Sequence, residues 1–135
     1  MNRRWRFLIL PVITLALEIL PWGAVCNFAN PDGEPWRRTF SYFDPTPFGY
    51  ANFAPLLTAI LTCLIFVLLV IYCIVGKVGI LVSARNILFV AIVISLCPLL
   101  LGIAYFSLVG GLITFSLAVE LLFVLVTLRS NTKQG

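Results

Sequence analysis

Two carboxylic acids, Glu18 and Glu120, interrupt long apolar segments near the two ends of this sequence. Neither segment contains Lys, Arg or His, so neither acid has a cationic partner nearby in the chain. Burial without a cation favours the neutral form of a carboxyl group, and two acids close together favour it further. We therefore expect at least one of the two acids to be protonated and hydrogen-bonded to a hydroxyl or a backbone carbonyl group.

A hydroxyl residue precedes each acid by four positions: Thr14 precedes Glu18, and Ser116 precedes Glu120. Residues four apart share one face of a helix, so the sequence predicts Thr14 and Ser116 as the local hydrogen-bond partners of the acids. Two interpretations remain open. The acids could bind a proton or a cation, as intramembrane carboxyls often do, or they could join helices through hydrogen bonds worth about 0.6–2 kcal/mol each.

Other reactive chemistry is absent from the sequence. The chain has no histidine, which removes the commonest general base and metal ligand. Its four cysteines form no Cys-x-x-Cys pair, and no nucleophile motif or phosphate-binding glycine loop occurs. The sequence therefore predicts no enzyme, no cofactor and no metal site.

The composition identifies the surroundings in which these residues fold. Hydrophobic residues make up 61% of the 135-residue chain and charged residues 10%, and the mean hydropathy is +1.10. Soluble domains are roughly 45–50% apolar and about 25% charged. A chain this short cannot bury so much apolar surface in a water-soluble globule, so we expect it to fold in lipid.

Four apolar segments have about the 20 residues that a helix needs to cross a bilayer. They cover about residues 7–26, 53–75, 87–105 and 108–128. Helices are favoured over strands because a helix satisfies its own backbone hydrogen bonds where no water is available. The predicted fold is thus an all-α integral membrane protein: one domain over residues 1–135, a four-transmembrane-helix bundle with an aromatic-rich outer loop at about 27–52.

The basic residues predict the orientation of this bundle. Four crossings place seven of the nine on one side of the membrane: Arg3, Arg4, Arg6, Lys77, Arg85, Arg129 and Lys133. The other side has Arg37 and Arg38 alone. Since Lys and Arg in short loops mark the cytoplasmic face, we expect both termini to be cytoplasmic, in a plasma or bacterial inner membrane. This asymmetry explains the basic excess, which therefore does not indicate a nucleic-acid partner.

The beginning of the chain has a second interpretation. Three arginines followed by an apolar run that ends near Cys26 are also typical of a secretory or lipoprotein signal. However, the apolar run is longer than most signal peptides have, and Glu18 lies within it. We therefore expect an uncleaved first helix.

The outer loop has too many aromatic residues for a solvated linker. Asn30-Pro31-Asp32-Gly33 predicts a turn, and the alternation that follows predicts an extended segment with an aromatic face. Asn52 is predicted to cap the second helix. The candidate contact surface of this loop comprises Trp36, Arg37, Arg38, Phe40 and Tyr42. It could rest on lipid headgroups, or it could dock another membrane protein, since aromatic residues and Arg are enriched in such interfaces.

Small residues at helical spacing begin the fourth segment: Ser107, Gly111, Thr114 and Ala118. Such a ladder lets a second helix backbone approach closely, either in the same chain or in another copy. Together with the outer loop, it predicts a non-catalytic interaction or accessory component of the membrane, whose partners are lipid and another membrane protein or itself. The alternative is a small proton- or cation-linked transporter that uses Glu18 and Glu120.

Overall fold

The computed structural model describes residues 3–50 and 52–132; Lys133, assigned above to the cytoplasmic side, lies outside this range. The described chain is mostly helical, with one two-stranded sheet. Its regular elements, in order, are α1 (Ile9–Ile19), β1 (Ala24–Phe28), β2 (Trp36–Phe40), α2 (Thr46–Gly49), α3 (Ala54–Val75), α4 (Val78–Leu101) and α5 (Leu108–Thr132). Two 3₁₀ helices, Arg3–Leu8 and Ile103–Tyr105, precede α1 and α5.

Three helices, α3, α4 and α5, are long and apolar enough to cross a membrane. Large apolar side chains remain exposed on their outer surfaces, among them Phe89, Leu100 and Phe115. In water such a surface would be a strong aggregation liability, whereas in lipid it is the expected exterior. The fold is therefore compatible with a multi-pass membrane protein.

The first predicted span differs most from the structure. Its α-helix covers only Ile9–Ile19 and follows a 3₁₀ helix, while Ala24–Phe28 is a β-strand. A proline lies near each end of this helix. Pro11 is tolerated in the first turn of a helix, where its missing N–H would have no partner. Leu20, just before Pro21, has extended backbone (ψ 138°), because a residue that precedes proline is displaced from helical geometry.

The boundaries of the third span also differ. Its helix α4 runs over Val78–Leu101 rather than over about 87–105, so Lys77 precedes it and Arg85 lies within it. Gly76 ends α3 in the left-handed conformation (φ +74°), and its N–H donates to the Tyr72 carbonyl oxygen. This C-terminal cap needs a residue without a Cβ, and it makes the connection between the two helices only two residues long.

The helices form a closed ring in which α1 contacts α3 and α5, and α4 contacts the other side of both. Along α4 the buried positions recur at helical spacing, and small residues such as Ala84 and Ala91 alternate with Leu81 and Leu88. Small residues allow close approach of helix backbones, which is how helices associate in lipid. The two acids lie on neighbouring members of this ring, α1 and α5, and both are buried.

The segment between α1 and α2 contains an antiparallel hairpin in which Cys26 lies opposite Arg38. It differs from the predicted outer loop at about 27–52 in beginning with β1 at Ala24. The predicted turn contains a hydrogen bond from the Asp32 N–H to Asn30 Oδ1 (3.3 Å). Asn52 does not cap α3: its side-chain amide donates to the Val25 carbonyl oxygen (2.9 Å) and so fastens β1 to the beginning of α3.

Candidate functional site

The structure buries both sequence-predicted acids where α1 contacts α5, in an acid cluster in which the Thr14–Ser116 pair lies between the levels of Glu18 and Glu120. Glu18 extends from α1 and is 0% exposed, and Glu120 extends from α5 and is 2% exposed. Because Phe7 meets Phe123 and Thr14 meets Ser116 across the antiparallel helices, the backbones of Glu18 and Glu120 lie about two helical turns apart along the axis. No Lys or Arg side chain of the described residues forms an ion pair with either acid.

Glu18 is held by α3 through a short chain of hydroxyl groups. Thr62 Oγ1 lies 2.7 Å from Glu18 Oε1 and 3.0 Å from the Thr58 carbonyl oxygen. A hydroxyl group has one proton and cannot donate fully to both acceptors. Thr62 therefore donates to one acceptor at a time, either to Glu18 Oε1 across the two helices or to the Thr58 carbonyl oxygen within α3.

The predicted hydroxyl partners of the acids are paired differently. Thr14 Oγ1 and Ser116 Oγ lie 2.7 Å apart and join α1 to α5 directly. Thr14 also donates to the Leu10 carbonyl oxygen (3.0 Å), so Ser116 is the donor in the bond between the two hydroxyls. The prediction that these residues serve Glu18 and Glu120 is therefore corrected: they join the two helices and leave the acids to other partners.

Three carboxyl oxygens in the cluster have no hydrogen-bond partner among the described residues. These atoms are Glu18 Oε2 and both side-chain oxygens of Glu120. Buried polar atoms are nearly always hydrogen-bonded, and each unsatisfied one costs about 1–3 kcal/mol. Apart from Glu18 Oε1, which accepts from Thr62, the described residues thus provide no hydrogen-bond partner for the side-chain oxygens of the two acids.

A cavity of about 370 Å³ reaches Glu120 from the surface between α1 and α5. Its lining includes Arg6 and the rings of Phe7 and Phe123, which lie 5.2 Å apart. The volume lies within the range of about 300–1,000 Å³ that small-molecule sites occupy. Glu120 lines this cavity, and Glu18 does not.

The main chain of Glu18 also takes part in the site. Its carbonyl oxygen accepts a hydrogen bond from the Tyr42 N–H (2.9 Å), which replaces a donor lost where α1 ends. The Tyr42 ring lies so close to Gly23 that a Cβ at Gly23 would lie 2.8 Å from it. Burial raises the pKa of the Tyr42 phenol above its usual range, so it stays neutral.

Burial of Tyr42 corrects the contact surface predicted for the outer loop. Tyr42 is 2% exposed and belongs to the core, and Phe40 is half-buried. Trp36, Arg37 and Arg38 remain exposed, and the Arg38 guanidinium lies 5.1 Å from the centre of the Trp36 ring. The exposed part of the predicted contact surface is thus limited to Trp36, Arg37 and Arg38 of strand β2.

The small-residue ladder at the beginning of α5 contacts other residues of its own chain. Ser107 Oγ donates to the Gly23 carbonyl oxygen (2.5 Å) and accepts from the Gly110 N–H (2.8 Å), so it caps the beginning of α5. Thr114 Oγ1 donates to Ser95 Oγ of α4 (3.0 Å). Gly111 lies against the Phe106 ring, and Ala118 is half-buried.

Sequence reasoning missed Gly23 and Gly110 and the role of Thr62 as the partner of Glu18. Thr58 and Thr62 lie four residues apart on α3. This spacing indicates a polar face of the helix, but it does not indicate which residue of another helix contacts that face. Among the described residues, no group of three or more His, Cys, Asp or Glu could hold a metal ion. Comparison with protein-family models, curated proteins and solved structures finds no match to this chain.

Proposed function

We propose that the chain is a small proton- or cation-linked transporter of a cell membrane, with Glu18 and Glu120 as its ion-binding pair. The observation that carries this proposal is the set of three buried carboxyl oxygens for which the described part of the chain provides no hydrogen-bond partner. Acids that only joined helices would use these oxygens in hydrogen bonds. Intramembrane acids that face a bundle interior commonly mark ion pathways and proton relays.

The proposal includes a fourth crossing made by the 3₁₀ helix Arg3–Leu8 together with α1. At rises of about 2.0 Å and 1.5 Å per residue, these seventeen residues extend about 28 Å, close to the roughly 30 Å of a bilayer core. The Arg4 side chain contacts Gly76, so the beginning of the chain lies beside the turn that contains Lys77. This clustering of basic residues supports the cytoplasmic placement of both termini.

The proposal is tested with the purified protein in vesicles that contain a pH-sensitive dye and a potassium diffusion potential. We expect proton or cation flux that depends on pH. Glu18→Gln and Glu120→Gln together remove both titratable groups and should abolish the flux while the helical content stays unchanged. Glu34→Gln is the matched control, because it makes the same substitution at an exposed acid of the hairpin turn.

Two results would count against the transporter. Flux in the double variant equal to that of the wild type would show that the acids are not the ion-binding pair. The second result is a wild-type protein that shows no flux in any ionic condition, together with Glu→Gln variants that differ from it only in stability. The acids would then have a structural role.

A second candidate function, a non-catalytic interaction or accessory component, is supported by the exposed part of strand β2. Trp36 is 61% exposed beside two exposed arginines, and interface centres are enriched in these residue types. Cross-linking in intact membranes tests it. A partner should be lost in Trp36→Ala but retained in Phe89→Ala, which alters an equally exposed position on α4; equal recovery of the partner in both variants would contradict it.

A further inference from the structure

A groove of about 730 Å³ lies where the hairpin meets the beginning of α5. One part of its lining is basic and polar and consists of Arg37, Arg38 and Thr39 of β2. The other part is apolar and includes Trp22, which precedes β1, and Leu108 and Val109, which begin α5. It is separate from the acid cluster, whose cavity is lined by the beginning of the chain and by the middle of α5.

The two arginines bring positive charge that the described protein does not neutralise. Neither forms an ion pair with a described residue, and Arg38 has the Trp36 ring as its contact. Asp44 is already engaged, because its Oδ1 accepts from the Thr46 N–H (2.8 Å). Arg37 and Arg38 both line the groove, and a guanidinium group presents several N–H donors in a fork that matches the oxygens of a phosphate group.

The apolar part of the groove continues onto the lipid-facing surface. Leu108, the first residue of α5, is 83% exposed, and Trp22 is 58% exposed. Trp is typical of the membrane interface, where one end of its ring system is apolar and the other polar. A ligand that fits both parts has an anionic head and an aliphatic tail.

We propose that this groove binds one anionic phospholipid. Its phosphate accepts hydrogen bonds from the arginines of β2 where they line the groove, and one acyl chain runs along Leu108 and Val109 into the hydrocarbon. The bound lipid joins strand β2 to α5, beside the direct hydrogen bond between Ser107 and Gly23. This proposal does not depend on ion binding at the acid cluster.

The test measures lipid binding to the detergent-purified protein by native mass spectrometry, with phosphatidylglycerol and phosphatidylcholine as probes. We expect one phosphatidylglycerol to be retained in preference to phosphatidylcholine. Arg37→Gln with Arg38→Gln should weaken its binding by about tenfold or more, since each basic residue near an anionic lipid contributes about 1 kcal/mol. Lys77→Gln with Arg129→Gln is the control, because it removes the same charge elsewhere.

A third variant, Leu108→Gln, removes the tail contact without changing the charge and should also weaken retention. It keeps the test decisive if the arginine variant fails to fold. Equal weakening in the arginine variant and its control would mean diffuse charge attraction and would overturn the proposal. Unchanged retention in the arginine variant would do the same, as would inorganic phosphate displacing the lipid at equal concentration.

Discussion

Replacing Thr62 with valine tests the contact that holds Glu18 to α3. Valine has nearly the shape of threonine but no hydroxyl, so the change removes the 2.7 Å hydrogen bond to Glu18 Oε1 and little packing. Both residues are 0% exposed, which means that water cannot replace the lost partner. Glu18 would then keep no side-chain hydrogen bond among the described residues.

The expected loss follows from measured ranges for such bonds. An unsatisfied buried polar group costs about 1–3 kcal/mol in soluble proteins. Hydrogen bonds between membrane helices average about 0.6 kcal/mol and reach about 1.7 kcal/mol, because the unfolded chain in a membrane also finds partners. We therefore expect Thr62→Val to lower the free energy of unfolding by about 1–2 kcal/mol.

Unfolding in mixed micelles, followed by helical circular dichroism as the fraction of denaturing detergent rises, measures this loss. Thr58→Val is the matched control. Thr58 is equally buried, but its hydroxyl donates only to the Ala54 carbonyl oxygen of its own helix (2.8 Å). Such bonds to the preceding turn contribute little to helix stability, so we expect Thr58→Val to cost about 0.5 kcal/mol or less.

A double-mutant cycle with Glu18→Leu separates the pairwise interaction from other effects of each substitution. We expect a coupling of about 0.6–1.7 kcal/mol between positions 18 and 62. Zero coupling, or equal losses in Thr62→Val and Thr58→Val, would refute the argument that the two helices are joined through this hydroxyl.

Two further predictions concern the junction near Tyr42 and access to the acid cluster. Gly23→Ala places a Cβ 2.8 Å from the Tyr42 ring and should destabilise the protein by about 1–3 kcal/mol in the same unfolding assay. The control is Gly79→Ala, whose added Cβ meets nothing within 4 Å and which should stabilise the protein by about 0.5–1 kcal/mol. A change of the same sign in both variants would contradict the packing of Gly23 against Tyr42. A lipid-soluble carbodiimide, which adds to protonated carboxyl groups, should label Glu120 through its cavity, as peptide mass spectrometry would detect. Labelling of exposed Glu34 but not of Glu120 would mean that the cavity is closed or that Glu120 is charged.

The sequence predicted α3 and α5 well because their apolar segments are uninterrupted. It misjudged α1 because hydrophobicity alone does not register what Pro11 and Pro21 do to the backbone. The beginning of α4 was misplaced for the opposite reason: Lys77 and Arg85 were placed in a loop between the second and third spans, whereas the helix begins at Val78 and includes Arg85.

The candidate site shows the same limit at the level of side chains. The two buried acids were identified from their types and surroundings, but their partners were sought on the same helix. A hydroxyl group four residues before an acid can donate instead to the backbone carbonyl group of its own preceding turn, as Thr14 donates to Leu10. The partner of Glu18 came from α3, 44 residues away, and no local pattern in a sequence specifies such a neighbour.

Glu18 is fastened at both of its functional groups. Its carboxyl group is bound to α3 through Thr62, and its backbone carbonyl oxygen is bound to the hairpin through the Tyr42 N–H. The position of Glu18 is therefore coupled to that of the hairpin through a single backbone hydrogen bond. A displacement of the hairpin at Tyr42 should move the buried acid with it.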